Sequence, residues 1–86
     1  MKEVKLFYLR ECPFCKKAFR YIDEAKDKHP ELAQVEIEFI EESEQVEVAN
    51  SYDYYYVPTF YVAGEKVHEG GIFPDEVEQI LRQALE

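Results

Sequence analysis

At 86 residues, with 47% hydrophobic and 15% aromatic residues, the chain has the apolar surface for one packed core and is too short for two. Its 19 acidic against 10 basic residues give a formal net charge of -9, which repels a phosphate backbone and an anionic membrane, so neither nucleic acid nor membrane is an expected partner. The two cysteines lie three positions apart instead of being spread as cross-links, and Met1 to Lys5 shows no long apolar stretch or small-residue cleavage site; a single cytoplasmic domain, monomeric, is the expectation.

Val4-Lys5-Leu6-Phe7-Tyr8-Leu9 is a nearly continuous apolar and aromatic run, which predicts a central strand covered on both faces. Apolar side chains at Cys15, Ala18, Phe19, Ile22 and Ala25 then draw one stripe down a helix that begins after Cys12. Pro13 suits its first position, and the helix should end near Lys28 because His29 precedes Pro30. Val35, Ile37, Phe39 and Ile40, interrupted by Glu36 and Glu38, predict a second strand with one wetter face.

Ser43 is placed to cap a short helix running to about Tyr52, with Val46 and Ala49 inward and Glu42, Glu44 and Glu47 near its positive start. Thr59-Phe60-Tyr61-Val62 is β-branched and aromatic, and Ala63-Gly64-Glu65 turns it into Lys66-Val67-His68-Glu69, a hairpin. Gly70-Gly71 breaks that pattern, and from Pro74 onward Val77, Ile80, Leu81, Ala84 and Leu85 stripe a last helix. The order is βαβαββα. Strands joined through helices run parallel and a hairpin adds an antiparallel partner, so the expected architecture is α/β, a four-stranded mixed sheet flanked by helices.

The chemistry-bearing motif is Cys12-Pro13-Phe14-Cys15. Disulfide exchange needs a thiolate, which is scarce at neutral pH for a thiol of unperturbed pKa about 8.5. Cys12 lies where the chain leaves a strand and enters a helix, facing unpaired amides and the positive end of the dipole, and is therefore the candidate nucleophile. Arg10, Lys16 and Lys17 add local positive charge and Glu11 opposes it. Cys15, one turn on, is the candidate resolving thiol, and a protein or small-molecule disulfide is the expected substrate.

Two plainer readings compete with this one. A pair of buried free cysteines needs no chemistry, and a zinc site needs four ligands, for which His29 and His68, expected at the surface, offer no second pair. No bound cofactor is expected. Tyr52-Asp53-Tyr54-Tyr55-Tyr56 directly precedes Val57-Pro58, so part of it is in place to form an apolar lip beside Cys12, with ordinary packing as the alternative. The acidic stretch Glu36 to Glu47 reads as a solvated strand face and helix start.

Cys12-Pro13-Phe14-Cys15 after a first strand, Val57-Pro58-Thr59 before a hairpin and Gly70-Gly71 before the last helix together resemble glutaredoxins and their thioredoxin-fold relatives, over essentially the whole chain. The resemblance implies a thioredoxin fold and a dithiol thiol-disulfide oxidoreductase. It also implies that Pro58 is cis and lies beside the cysteines, with the backbone of Val57 pairing with the thiol substrate. The candidate substrate-binding residues are Arg10, Pro13, Phe14, Tyr56, Val57, Pro58, Gly70 and Gly71.

Phe14 stands where glutaredoxins usually have tyrosine, and the chain has neither the tryptophan nor the buried first-strand acid of thioredoxins, having Leu6 there. Glutathione is the reductant the resemblance implies, and a thioredoxin reductase is the alternative. Leu9 replaces the usual base, and Ile72-Phe73-Pro74 intervenes before the acidic Asp75 and Glu76, so slow turnover with glutathione is expected. An iron-sulfur carrier using Cys12 and glutathione at a dimer interface is the rival from another class; Cys15 argues against it. A binding module without redox turnover is a third.

Overall fold

The computed structural model describes residues 1–86. The first apolar run forms β1 (Val4–Tyr8), an inner strand of a sheet ordered β2-β1-β3-β4. β1 pairs in parallel with β2 (Ile37–Glu41) and antiparallel with β3 (Thr59–Val62), which continues antiparallel into β4 (Glu65–Glu69). With α1 (Pro13–Lys28), α2 (Val46–Asn50) and α3 (Pro74–Leu85) the order is βαβαββα, a mixed sheet flanked by helices. The β3–β4 hairpin turns on Ala63 (φ 52) and Gly64 (φ 83), the positive φ values that a tight two-residue connection needs to match the strand twist.

Alternation along β1 divides the core. Val4 and Leu6 face α1 and α3, where they meet their β3 partners Val62 and Phe60 together with Ala18, Ile22, Val77 and Leu81. Phe7 points to the other face, into a smaller cluster with Ile40, Ala49 and Tyr61. The wetter part of that second face is the cross-strand pair Lys5 and Glu38, 2.6 Å apart. Phe60 is fully buried in the larger core, so Phe60→Ala should cost about 3–5 kcal/mol, a large share of the roughly 5–15 kcal/mol total for a domain of this kind. Urea unfolding measures it, and a loss below about 1 kcal/mol would mean that the ring does not support this core.

Several boundaries differ from the expectation. Ser43 caps no helix: its amide and hydroxyl both donate to the Glu41 carboxylate (2.7 and 2.6 Å), which holds the following residues as a turn, so α2 starts only at Val46 and stops at Asn50. Val46 is half-exposed, not inward, and Ala49 alone is the buried position of that helix. Pro30–Gln34 forms a 3-10 turn that buries Leu32, which delays β2 to Ile37 and leaves Val35 as a buried residue before it. β1 ends at Tyr8, since the Leu9 carbonyl accepts the Cys12 amide (3.1 Å) in the turn toward α1.

Candidate active site

The strand-to-helix turn after β1 positions both sulfurs. Cys12 is the N-cap of α1 in an extended conformation (φ -77, ψ 119), its carbonyl accepting the amides of Cys15 and Lys16, both at 3.1 Å. Pro13 follows at the first helical position, and no acidic residue lies in the first turn to offset the positive end of the dipole. Cys12 is partly exposed, whereas Cys15 is fully buried on the α1 stripe, and both are free thiols. Burial pushes the Cys15 thiol up to about 12; a hydrogen bond from the Leu9 backbone offsets part of this, while the Cys12 sulfur and Glu42 push it further. One sulfur is within reach of solvent, and the other holds its proton.

Opposite Cys12 runs the segment before β3. The Val57-Pro58 peptide is cis, and the Val57 carbonyl oxygen lies 4.0 Å from the Cys12 sulfur. The Pro58 carbonyl accepts the Gly70 amide (2.8 Å), with Gly70 at φ 90, which brings the end of β4 against the same segment. A Cβ on Gly70 would lie 3.9 Å from that of Tyr56, and one on Gly71 would lie 3.4 Å from the Phe14 ring. Cys12, Phe14, Tyr56, Val57, Pro58, Gly70 and Gly71 are therefore gathered at one end of the sheet.

Arg10 borders a shallow recess of about 400 Å³ lined by Leu9, Arg10, Glu11, Cys12, Glu41 and Ser43. Its guanidinium is engaged by Glu44, whose hydrogen bond and charge hold it further protonated. A larger open hollow of about 600 Å³ lies among Met1, Lys2, Glu3, Val4, Gln34, Glu36, Ile37 and Glu38, at the opposite end of β1 from Cys12, and carries no thiol.

Two carboxylates that sequence patterning missed build this end of the molecule. Buried Glu41 accepts the Ser43 amide and hydroxyl and the Glu44 amide (3.3 Å) on one oxygen, and the Arg10 amide (3.0 Å) on the other, tying the β1–α1 turn to the turn after β2. Those bonds, the Ser43 hydroxyl first, hold its carboxyl down to about 2. Glu69, at the end of β4, accepts the amides of Tyr55 (2.6 Å) and Tyr56 (2.9 Å) and pairs with Lys66 (2.7 Å). The Lys66 contact and then the two amides hold it down to about 2 as well.

Because both folded-state values lie below the ordinary carboxylate value of 4.5, the stability they contribute is present above that pH and is lost as pH falls toward about 2. The urea midpoint should therefore drop progressively through this window, and Glu41→Gln, less stable at neutral pH, should drop less. A wild-type midpoint unchanged down to about pH 3 would contradict the assignment.

The two histidines are half-buried and each has a polar partner. His29 Nε2 lies 3.1 Å from Glu78, and His68 Nε2 lies 2.8 Å from the Gly71 carbonyl. No three His, Cys, Asp or Glu side chains converge as ligands for a metal ion.

No family model matches the chain, and no curated protein matches it. Its structure is similar to that of an uncharacterised thioredoxin-like protein from Clostridium perfringens, with a TM-score of 0.70 and 21% identity over 98% of this chain and 71% of that one. It is also similar to a designed protein known from its backbone chemical-shift assignments, with a TM-score of 0.65 and 23% identity over 99% and 73% of the two chains. The chain has a thioredoxin-like fold. It carries the Cys12 and Cys15 pair at a strand-to-helix turn. No helix is long and apolar enough to cross a membrane.

Proposed function

We propose that the protein is a thiol-disulfide oxidoreductase that reduces protein or low-molecular-weight disulfides by a dithiol mechanism of the glutaredoxin kind. The observation that supports this reading is the contrast between a partly exposed Cys12 at a helix start and a fully buried Cys15 whose thiol is pushed up to about 12. The Cys12 thiolate attacks one sulfur of the substrate, the substrate S–S bond breaks, and the first thiolate leaves as a mixed disulfide forms. Cys15 then gives up its proton and attacks the Cys12 sulfur, releasing the second substrate thiolate and closing the internal disulfide. Two electrons have passed from the protein to the substrate.

Return to the dithiol consumes two equivalents of a thiol such as glutathione, which leave as the oxidised disulfide, or one turnover of a thioredoxin reductase. The cycle suits the reducing cytoplasm, and one copy of the chain suffices because both sulfurs come from it. The test is reduction of 2-hydroxyethyl disulfide, run in parallel with glutathione and with a thioredoxin reductase. Turnover with glutathione, slow but above background, is expected. Absence of turnover in both arms would overturn the reading.

A further inference from the structure

We infer that Tyr55 and Tyr56 select the substrate: the site takes a cysteine carried on a net-basic protein segment with an aromatic or aliphatic neighbour, in preference to small anionic disulfides. This rests on Cys12 as the attacking sulfur. The tyrosine run divides sharply. Tyr52 and Tyr54 turn inward onto Phe7, with ring centroids 4.8 and 4.9 Å away, and the Tyr54 hydroxyl donates to Glu42 (2.8 Å). Tyr55 and Tyr56 turn outward and are 86% and 71% exposed.

Their outward position is built by the backbone. Both amides are held by the single Glu69 oxygen, the Thr59 hydroxyl donates to the Tyr56 carbonyl, and Gly70 is bonded to Pro58 just beyond. Two aromatic rings on a fixed loop present large contact area with little backbone entropy left to lose on binding. Tyr56 adjoins Val57, whose carbonyl is 4.0 Å from the Cys12 sulfur, and Phe14, 55% exposed, lies against Gly71. Aromatic side chains thus lead up to the sulfur from two elements, which suits a partner that extends past its cysteine.

Charge favours a basic segment. The net charge is -9, and two of the cations at this end of the molecule are paired, Arg10 with Glu44 and Lys66 with Glu69. Exposed Glu11 and Asp53 make no ion pair, while Lys16 and Lys17 are the unpaired cations of the helix start, Lys17 lying over Phe14 at 5.7 Å. An anionic tripeptide meets this field unfavourably.

The experiment uses mixed disulfides with thionitrobenzoate, whose release by the reduced protein is coloured. The thiols are a basic peptide with phenylalanine beside its cysteine, the same peptide with serine there, an acidic counterpart, and 2-mercaptoethanol as the small neutral reference. The readout is each peptide's rate divided by the reference rate, which does not depend on the fraction of protein that folds. The basic aromatic peptide should lead both other peptides by about tenfold, its lead over the acidic one should shrink with salt, and its lead over the serine peptide should vanish in Tyr55→Ser/Tyr56→Ser. Equal ratios for all peptides, or a preference unchanged in the variant, would overturn the proposal with the redox reading intact. Inertness toward every disulfide, the reference included, would overturn the redox reading and this proposal with it.

Discussion

Cys12→Ser is expected to reduce disulfide turnover to the uncatalysed background, whereas Cys15→Ser, with no thiol added, should attack once and stop as a mixed disulfide. The difference follows from position on one helical turn: Cys12 is the partly exposed N-cap, and Cys15 is fully buried on the core stripe with a thiol pushed up to about 12. At pH 7 a thiol of that value is ionised in roughly one molecule in 10⁵, so it does not compete with Cys12 for an incoming disulfide. Mass spectrometry after incubation with oxidised glutathione should find one glutathione adduct on Cys12 in Cys15→Ser and none in Cys12→Ser. Limited alkylation of the reduced wild type should label Cys12 well before Cys15. Equal labelling, or an adduct trapped on Cys15, would reverse the roles.

The sheet was legible because its signals are local and periodic. Within the run from Val4 to Leu9, Val4, Leu6 and Phe7 are buried; the first helical stripe is buried at Cys15, Ala18, Ile22 and Ala25 with Phe19 partly exposed, and the last at Val77, Ile80, Leu81 and Ala84 with Leu85 partly exposed. The region after β2 misled because Ser43, a residue suited to capping, donates backward to Glu41 two positions away, so a turn replaces the first part of the expected helix.

The cysteine pair was equally legible, since its spacing and its place between strand and helix are local properties. Glu41 and Glu69 were not. Their partners include the Arg10 amide on another loop and the amides of Tyr55 and Tyr56, and in a chain with 19 acids nothing distinguishes a carboxylate that will be enclosed by amides. Nor does an aperiodic run of tyrosines indicate which rings will meet Phe7 and which will face solvent.

The resolving step should accelerate steeply with pH, with the lifetime of the wild-type mixed disulfide shortening about 100-fold between about pH 7 and pH 9. In the reduced protein Cys15 is raised first by burial, then by its hydrogen bond to the Cys12 sulfur and by the charges of Cys12 and Glu42. Once Cys12 is joined to substrate, its own contributions fall away. Burial, which outweighs the lowering hydrogen bond from the Leu9 backbone, remains together with the Glu42 charge, so the Cys15 thiol stays raised, and below its pKa each pH unit raises the reactive thiolate about tenfold. Acid quenching followed by mass spectrometry should find the wild type loaded with mixed disulfide near neutrality, much like Cys15→Ser, and nearly free of it in alkali. Glu42→Gln removes a negative charge that opposes ionisation of Cys15, so it should shorten the lifetime at pH 7. A lifetime that does not change with pH would mean that Cys15 loses its proton before the mixed disulfide forms, and that burial of this sulfur does not govern the cycle.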